Sequence, residues 1–82
     1  MYLEIITPEK EVFKGSVHSA TFPGADGAFQ VLTDHAPIIS ALAKGVLSYK
    51  LDKQEVSMRI EGGVVEVLNN NINVLVEKVI EE

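Results

Sequence analysis

The stretch VSMRIEGGVVEVLNNNINVLV, residues 56–76, decides the fold. In residues 56–61, Val, Met and Ile alternate with Ser, Arg and Glu, which is the period-two pattern of a strand with one face in water. Two further apolar runs follow at 64–68 and 72–76, separated by Gly62-Gly63 and by three asparagines. Glycine and asparagine accept the positive φ of tight turns, so the stretch predicts three strands joined by hairpin turns.

Strand patterns also precede this stretch. Leu47, Tyr49 and Leu51 alternate with polar residues, and the polar turn at 52–55 predicts a hairpin with the next strand. Residues 34–42 fit either a strand or a short helical turn, and the strand is the preferred interpretation. Shorter strands, each broken by Pro or Gly, are expected at 2–7, 11–16, 17–22 and 28–32.

So many short strands in 82 residues predict an all-β fold, a small antiparallel β-sandwich of about ten short strands or a flattened barrel. Two packed sheets bury alternate residues of each strand. The predicted core is Ile6, Phe13, Phe22, Leu47, Val56, Met58, Ile60, Val65, Val67, Ile72, Val74 and Val76.

Composition narrows the class of protein. Of the 82 residues, 46% are hydrophobic and 23% charged, which is typical of one globular domain and excludes two independent cores. Seven basic and twelve acidic residues give a net charge of −5, which disfavours binding to nucleic acid. The absence of cysteine excludes a disulfide scaffold, a thiolate metal site and a cysteine nucleophile. Because so small a core stabilises weakly, a partner surface is expected to contribute.

Residues 1–6 lack the basic start and long apolar region of a secretory signal. The longest apolar stretches, such as residues 37–43, are far shorter than the roughly 20 residues that span a bilayer. We therefore expect no direct membrane insertion, and any association with a membrane to be peripheral.

His18 and His35 are the only imidazoles, and neither has the spacing to a second ligand that a metal site requires. His18 is interpreted as an exposed strand residue. His35 follows Asp34, whose carboxylate is expected to hold the imidazole ring and favour its charged form. Because no Ser or Cys nucleophile lies beside His35, a loop-shaping or partner-contacting role is favoured over catalysis.

The remaining candidate motifs favour structural roles. Residues 23–27, PGADG, predict a hairpin loop, and together with residues 33–35 they are a candidate recognition edge. Gly62-Gly63 predicts a turn or a close approach of two backbones. Glu61 and Glu66 would be neighbours across a hairpin, and they are interpreted as solvated charges on a strand face.

Five motifs in order along nearly the whole chain resemble the ATP synthase epsilon chain family. The combination of His-Ala-Pro with Gly-Gly-x-x-Glu-Val at this separation is specific, although each motif alone is weak. The motifs are Pro23-Gly24-x-x-Gly27, His35-Ala36-Pro37, Leu42-x-x-Gly45, Gly62-Gly63-Val64-Val65-Glu66-Val67 and Asn71-Ile72-Asn73-Val74-Leu75.

The resemblance implies a ten-stranded β-sandwich in the rotor foot of an F-type ATP synthase, where it links the gamma subunit to the loops of the membrane c-ring. It implies a non-catalytic subunit with no cofactor, metal or nucleotide. The absence of a transit peptide at residues 1–6 favours a peripheral location on the cytoplasmic face of a bacterial inner membrane over a plastid or mitochondrion. The contact roles that the resemblance implies for gamma or the c-ring fall on Ala28, Phe29, Thr33, Asp34 and His35.

Many members of this family continue into a helical hairpin, whereas this sequence ends at Glu82, so we expect one sandwich domain over residues 1–82 without that hairpin. Two alternatives from other classes stay open. One is a small enzyme that uses His35, which would need a nucleophile or metal. The other is a free-standing sandwich that binds a peptide or another ligand.

Overall fold

Ten β-strands make up the fold. The computed structural model describes residues 1–80 and contains no helix in that range. The strands are β1 Tyr2–Ile6, β2 Glu11–Ser16, β3 Ser19–Gly24, β4 Gly27–Val31, β5 Ile38–Leu42, β6 Gly45–Lys50, β7 Glu55–Ile60, β8 Gly63–Leu68, β9 Asn71–Val76 and β10 Val79–Ile80. The all-β prediction is confirmed, and residues 38–42 form the strand preferred for that region.

The strands form one curled sheet that consists of two five-stranded halves. One half has the order β4-β3-β6-β7-β10 and the other β5-β8-β9-β1-β2. Within the ladders of residues 1–80, the halves meet at one residue pair, Gly24 on β3 with Leu42 on β5. Buried side chains from both halves form a single core cluster, as in a two-layer β-sandwich.

Gly62-Gly63 joins the two halves and does not form a hairpin turn. β7 pairs with β6 and β10, whereas β8 pairs with β5 and β9, so the chain crosses between halves at these glycines. Both have φ above 140°, which L side chains rarely adopt. A Cβ on Gly63 would overlap the carbonyl oxygen of Leu75 and lie 3.0 Å from the Cα of Val76. The close backbone approach predicted here is confirmed, and the hairpin is wrong.

The curl also brings β2, the edge strand of one half, against β6 in the other half. The rings of Phe13 on β2 and Tyr49 on β6 stack with centroids 4.3 Å apart and an interplanar angle of 30°. Burial raises the pKa of the Tyr49 hydroxyl above its ordinary value because the charged form loses water.

β1 and β9 run parallel, and the other eight strand pairings within residues 1–80 are antiparallel.

The core follows the predicted alternation in most strands. Ile6 is the exception, with 36% of its surface exposed, because Ile5 next to it faces inward and adjacent strand residues point to opposite faces. Phe13, Val56 and Met58 are only half-buried and pack against the margin of the core. The predicted core residues that are confirmed as buried are Phe22, Leu47, Ile60, Val65, Val67, Ile72, Val74 and Val76.

The third strand begins two residues later than predicted. Residues 17–18 cross from β2 in one half to β3 in the other, and the amide of Val17 donates to the carbonyl oxygen of Met1. The amide of His18 donates to the carbonyl oxygen of Lys50 on the opposite half. These backbone hydrogen bonds leave the ladder of β3 to start at Ser19.

The strand connections lie at two opposite ends of the molecule. What we term the amino-terminal end contains Met1 and the connections at 17–18, 32–37, 51–54 and 69–70. What we term the glycine end contains the connections at 7–10, 25–26, 43–44, 61–62 and 77–78. Consecutive strands run between these ends, so residues a few positions apart in sequence lie at opposite ends when a strand separates them.

We predict that Gly63→Ala destabilises the fold by about 3 to 5 kcal/mol, since it adds steric overlap to backbone strain. Gly27→Ala is the matched control because Gly27 also has a positive φ, 130°, but has no atom within 4 Å of the added Cβ. That variant should lose only the strain, about 1 to 2 kcal/mol. Urea unfolding measures both, and equal losses would contradict the role given to the close approach at Gly63.

Candidate functional site

An uncovered apolar surface is the main candidate for a functional site. Of the eight large hydrophobic residues that are exposed within residues 1–80, six lie on the outward face of the half formed by β5, β8, β9, β1 and β2. The remaining two are Leu32 and Val46. We term these six residues the outer apolar face: Tyr2, Ile6, Ile39, Val64, Leu68 and Leu75.

Strand register brings these side chains into contiguous rows. Val64 on β8 pairs with Leu75 on β9, which pairs with Ile6 on β1, so the three lie side by side across three strands. Ile39 on β5 is the most exposed of the set, at 72%. A contiguous apolar surface rimmed by polar residues marks an interaction site more often than scattered apolar residues do.

The sequence of β8 explains why this half is apolar on both sides. Val65 and Val67 point into the core and are almost fully buried, whereas Val64 and Leu68 point outward. A strand with apolar residues on both faces is typical of a sheet covered on both faces. The adjacent apolar pairs at 64–65 and 67–68 are the sequence signal for this surface, although on their own they predict only a strand.

Two carboxylates lie within the outer apolar face, Glu66 on β8 and Glu4 on β1, and both line the same groove. Glu66 is exposed on β8, directly between Ile39 on β5 and Asn73 on β9. It lines a shallow groove of about 530 Å³ together with Ile6, Val64 and Leu75, among others. Because β7 and β8 do not form a hairpin, Glu61 and Glu66 are not the cross-strand neighbours that the sequence suggested. The interpretation of Glu66 as a solvated strand-face charge is confirmed.

A second candidate surface is the loop at the amino-terminal end. Asp34 and Asn70 both have positive φ, 65° and 62°, and they exchange two hydrogen bonds. The amide of Asp34 donates to Oδ1 of Asn70 at 2.7 Å, and Nδ2 of Asn70 donates to Oδ1 of Asp34 at 3.0 Å. The carbonyl oxygen of Asn70 also accepts from the amide of Tyr2. This reciprocal pair fastens the 32–37 loop to the β8–β9 turn.

The expected contact between Asp34 and the imidazole of His35 is wrong. The carboxylate of Asp34 accepts from Asn70 instead, since the positive φ at both positions brings the two loops together. His35 is half-buried, and its Nδ1 lies 2.7 Å from the carbonyl oxygen of Ala36. The amide of His35 donates to the carbonyl oxygen of Leu32. These bonds fit the loop-shaping role favoured for His35.

His18 is exposed as predicted, but it has a partner that sequence reasoning missed. Its Nε2 lies 2.8 Å from Oδ1 of Asp52, which is 34 positions away in the connection between β6 and β7. Both side chains are largely in solvent, so the ion pair contributes little to stability. No cluster of three or more His, Cys, Asp or Glu side chains with the spacing of a metal site occurs within residues 1–80.

The predicted contact residues do not form one cluster. Thr33, Asp34 and His35 lie together in the amino-terminal loop, whereas Ala28 lies on the edge strand β4 near the opposite end. Phe29 is half-buried because its ring packs on Phe22, with centroids 5.6 Å apart. The 23–27 hairpin is confirmed, but the length of β4 separates it from residues 33–35. The single recognition edge proposed for these two loops is therefore wrong.

A β-sandwich with one apolar face left uncovered defines a class of small domains that dock on partner proteins. The chain belongs to the family described as ATP synthase, delta/epsilon chain, β-sandwich domain, whose match covers residues 1–82. Within the described residues, no helix has the length and apolar character needed to cross a bilayer. The family resemblance expected from the five sequence motifs is confirmed.

Individual relatives agree with this membership. An ATP synthase epsilon chain of Chlorobium limicola is 46% identical over 78 residues, which cover 94% of this chain and 89% of that protein. Another, from Leptospira borgpetersenii, is 36% identical over 75 residues, covering 92% of this chain and 59% of that protein. The chain therefore spans nearly all of the first relative and about three fifths of the second.

Two solved structures share the fold. One is from the central stalk and c-ring of the Tetrahymena thermophila mitochondrial ATP synthase, with a TM-score of 0.83 at 17% identity, covering 98% of this chain and 65% of that one. The other is from the Euglena gracilis mitochondrial ATP synthase, an OSCP/F1/c-ring structure, with a TM-score of 0.88 at 20% identity, covering 95% and 51%. At these identities the likeness shows the fold alone.

We predict that Asn70→Gly lowers stability more than Asn69→Gly does, by about 1 to 2 kcal/mol. Both asparagines have positive φ, 62° and 51°, and glycine keeps that conformation in each case. Only Asn70 uses its side chain to hold Asp34. Urea unfolding of the two variants gives the difference directly. Equal stability would show that the reciprocal bonds contribute nothing measurable.

Proposed function

We propose that this chain is a non-catalytic rotor subunit of an F-type ATP synthase, one that links the gamma subunit to the c-ring. Membership of the delta/epsilon family supports the assignment of this chain to an ATP synthase complex. The observation that carries the proposal is the outer apolar face, which a protein of this size would not leave in water without a partner. In this role the chain binds neighbours and transforms no substrate.

The outer apolar face is the surface proposed to receive the gamma subunit. It is the largest cluster of exposed apolar side chains in the described part of the chain, and it lies on the outward side of four adjacent strands. Burial of several large aliphatic side chains favours association by roughly 1.5 to 3 kcal/mol for each side chain fully removed from water, before the cost of association.

The contact with the c-ring is proposed for a different surface. It uses Thr33, Asp34 and His35 in the amino-terminal loop, while Ala28 and Phe29 on the edge strand β4 are proposed as separate contacts with gamma or the c-ring, since they lie apart from that loop. The hydrogen bonds between Asp34 and Asn70 support this role, because they hold the loop in one conformation before any partner arrives. The partner would be the polar loops of the ring, with the chain itself peripheral on the cytoplasmic face of a bacterial membrane.

The mechanical part of the proposal rests on stiffness. The chain is proposed to act as one sandwich domain, because within residues 1–80 both halves share a single close-packed core and such interiors deform little under load. A block of this kind passes rotation from one bound neighbour to the other. The stacked rings of Phe13 and Tyr49, from opposite halves, support this by tying the two halves together away from the Gly24–Leu42 junction.

We predict that Val64→Asp weakens binding to the gamma subunit of the same ATP synthase by at least about 100-fold, because a carboxylate replaces an apolar contact at the interface. Val46→Asp is the matched control. Both valines are exposed, at 45% and 50%, but Val46 lies on β6 in the opposite half. Calorimetric titration of each variant with purified gamma subunit gives the dissociation constants.

Circular dichroism and urea unfolding confirm that both variants are folded before they are compared. If the unsubstituted chain does not bind gamma, the proposed function fails. If Val46→Asp weakens binding as much as Val64→Asp does, the outer apolar face is not the docking surface.

A further inference from the structure

Of the two carboxylates on the outer apolar face, Glu66 lies on β8, between the neighbouring strands β5 and β9. Along β8 it lies between Val64 and Leu68, and across the sheet it lies between Ile39 and Asn73. It lines the grooves on both sides of Ile39. Its carboxylate makes no ion pair with any described residue, although Asn73 is its neighbour on β9.

A partner that covers Ile39, Val64 and Leu68 also covers Glu66, because the carboxylate lies between them. Removing an ionised carboxylate from water is unfavourable unless a cation or several hydrogen-bond donors replace the water. An apolar partner surface alone would therefore gain contact with the valine and leucine side chains and lose part of that gain at Glu66. A partner that covers this face therefore needs a positive charge opposite Glu66 as well as a complementary shape.

We propose that the partner on the outer apolar face places a cationic side chain, in chemical terms a guanidinium, on the carboxylate of Glu66. A planar guanidinium donates two parallel hydrogen bonds to a carboxylate and is more weakly hydrated than an ammonium, so it suits a pair that becomes buried. The partner surface is an apolar patch with one arginine at its centre. This inference rests on the proposed function, in which that partner is the gamma subunit.

Glu66, and not Glu4, is the residue to which this role is assigned. Glu4 lies in the same row on the outward face, beyond Asn73, and its register neighbour on β2 is Lys14, which lies beside it on that face without forming an ion pair. The lysine on that side reduces the demand for an external cation at Glu4. No described basic residue occupies a position next to Glu66 in either neighbouring strand.

The same carboxylate disfavours two other occupants of the face. In a symmetric dimer built on the outer apolar face, the two copies of Glu66 would approach each other near the symmetry axis, which costs binding energy. A membrane surface rich in anionic lipid would repel Glu66 and the net charge of −5. A cationic partner protein is the occupant that the charge favours.

The test is a titration of gamma subunit into Glu66→Gln and Glu66→Lys at low and high salt. We expect about a 10-fold loss of affinity for Glu66→Gln and at least about a 100-fold loss for Glu66→Lys. The affinity of Glu66→Gln should also depend less on salt than that of the unsubstituted chain, because a screened ion pair has been removed. Glu61→Lys, with the same change of net charge at an exposed position outside the face, should bind as the unsubstituted chain does.

A charge swap then identifies the cation. Arginines and lysines of the gamma subunit are changed to glutamate one at a time, and one of these variants should restore at least 10-fold of the affinity lost in Glu66→Lys. Unchanged affinity in both Glu66 variants, or an equal loss in Glu61→Lys, would overturn the inference while leaving the proposed docking of gamma intact. Failure of the unsubstituted chain to bind gamma would overturn both.

Discussion

The architecture depends on the close approach of backbones at the glycine end. There the row Gly24, Leu42, Gly63 and Val76 runs across four strands and connects the two halves of the sheet. A Cβ on Gly24 would lie 2.5 Å from the carbonyl oxygen of Gly27, and Gly63 has no room for a side chain. Glycine at these positions leaves room for the tight β3–β4 hairpin and for β8 to lie close against β9. Two backbone hydrogen bonds then join the halves, from the amide of Ala25 to the carbonyl oxygen of Ala41 and from the amide of Ala43 to the carbonyl oxygen of Pro23. With the halves joined in this way, their inner faces enclose one core and the other face of the β5–β8–β9–β1–β2 half points outward.

The two sides of β8 have different roles: the inner side contributes to folding stability, and the outer side is proposed to bind a partner. Val65 and Val67 are buried among core residues from both halves, whereas Val64, Glu66 and Leu68 point away from the core. A substitution on the inner side is therefore expected to act through unfolding, and one on the outer side through association. This separation lets the proposed docking surface be tested in folded protein.

Local sequence patterns predicted the positions of the strands better than they predicted which strands pair with each other. Alternation located β6 to β9 to within two residues at each end, and the Asn69-Asn70 turn joins β8 and β9 as a hairpin. The same reasoning failed at Gly62-Gly63, because positive φ permits a tight turn and a crossing between sheets equally. The sequence predicts Ile6 in the core, but Ile5 fits the apolar pattern equally well, and only the register with β9 decides which of the two faces inward. The carboxylate of Asp34 was paired with its neighbour in sequence, whereas its partner is 36 positions away.

The most direct test of the account is a methyl NMR titration in which isotope-labelled chain is mixed with unlabelled gamma subunit. The outer apolar face contributes methyl groups from Ile6, Ile39, Val64, Leu68 and Leu75, and the opposite half contributes those of Val46. The account predicts that the resonances of the face shift or broaden on binding while those of Val46 stay in place. Changes confined to Val46 and the core, with the face unaffected, would contradict it.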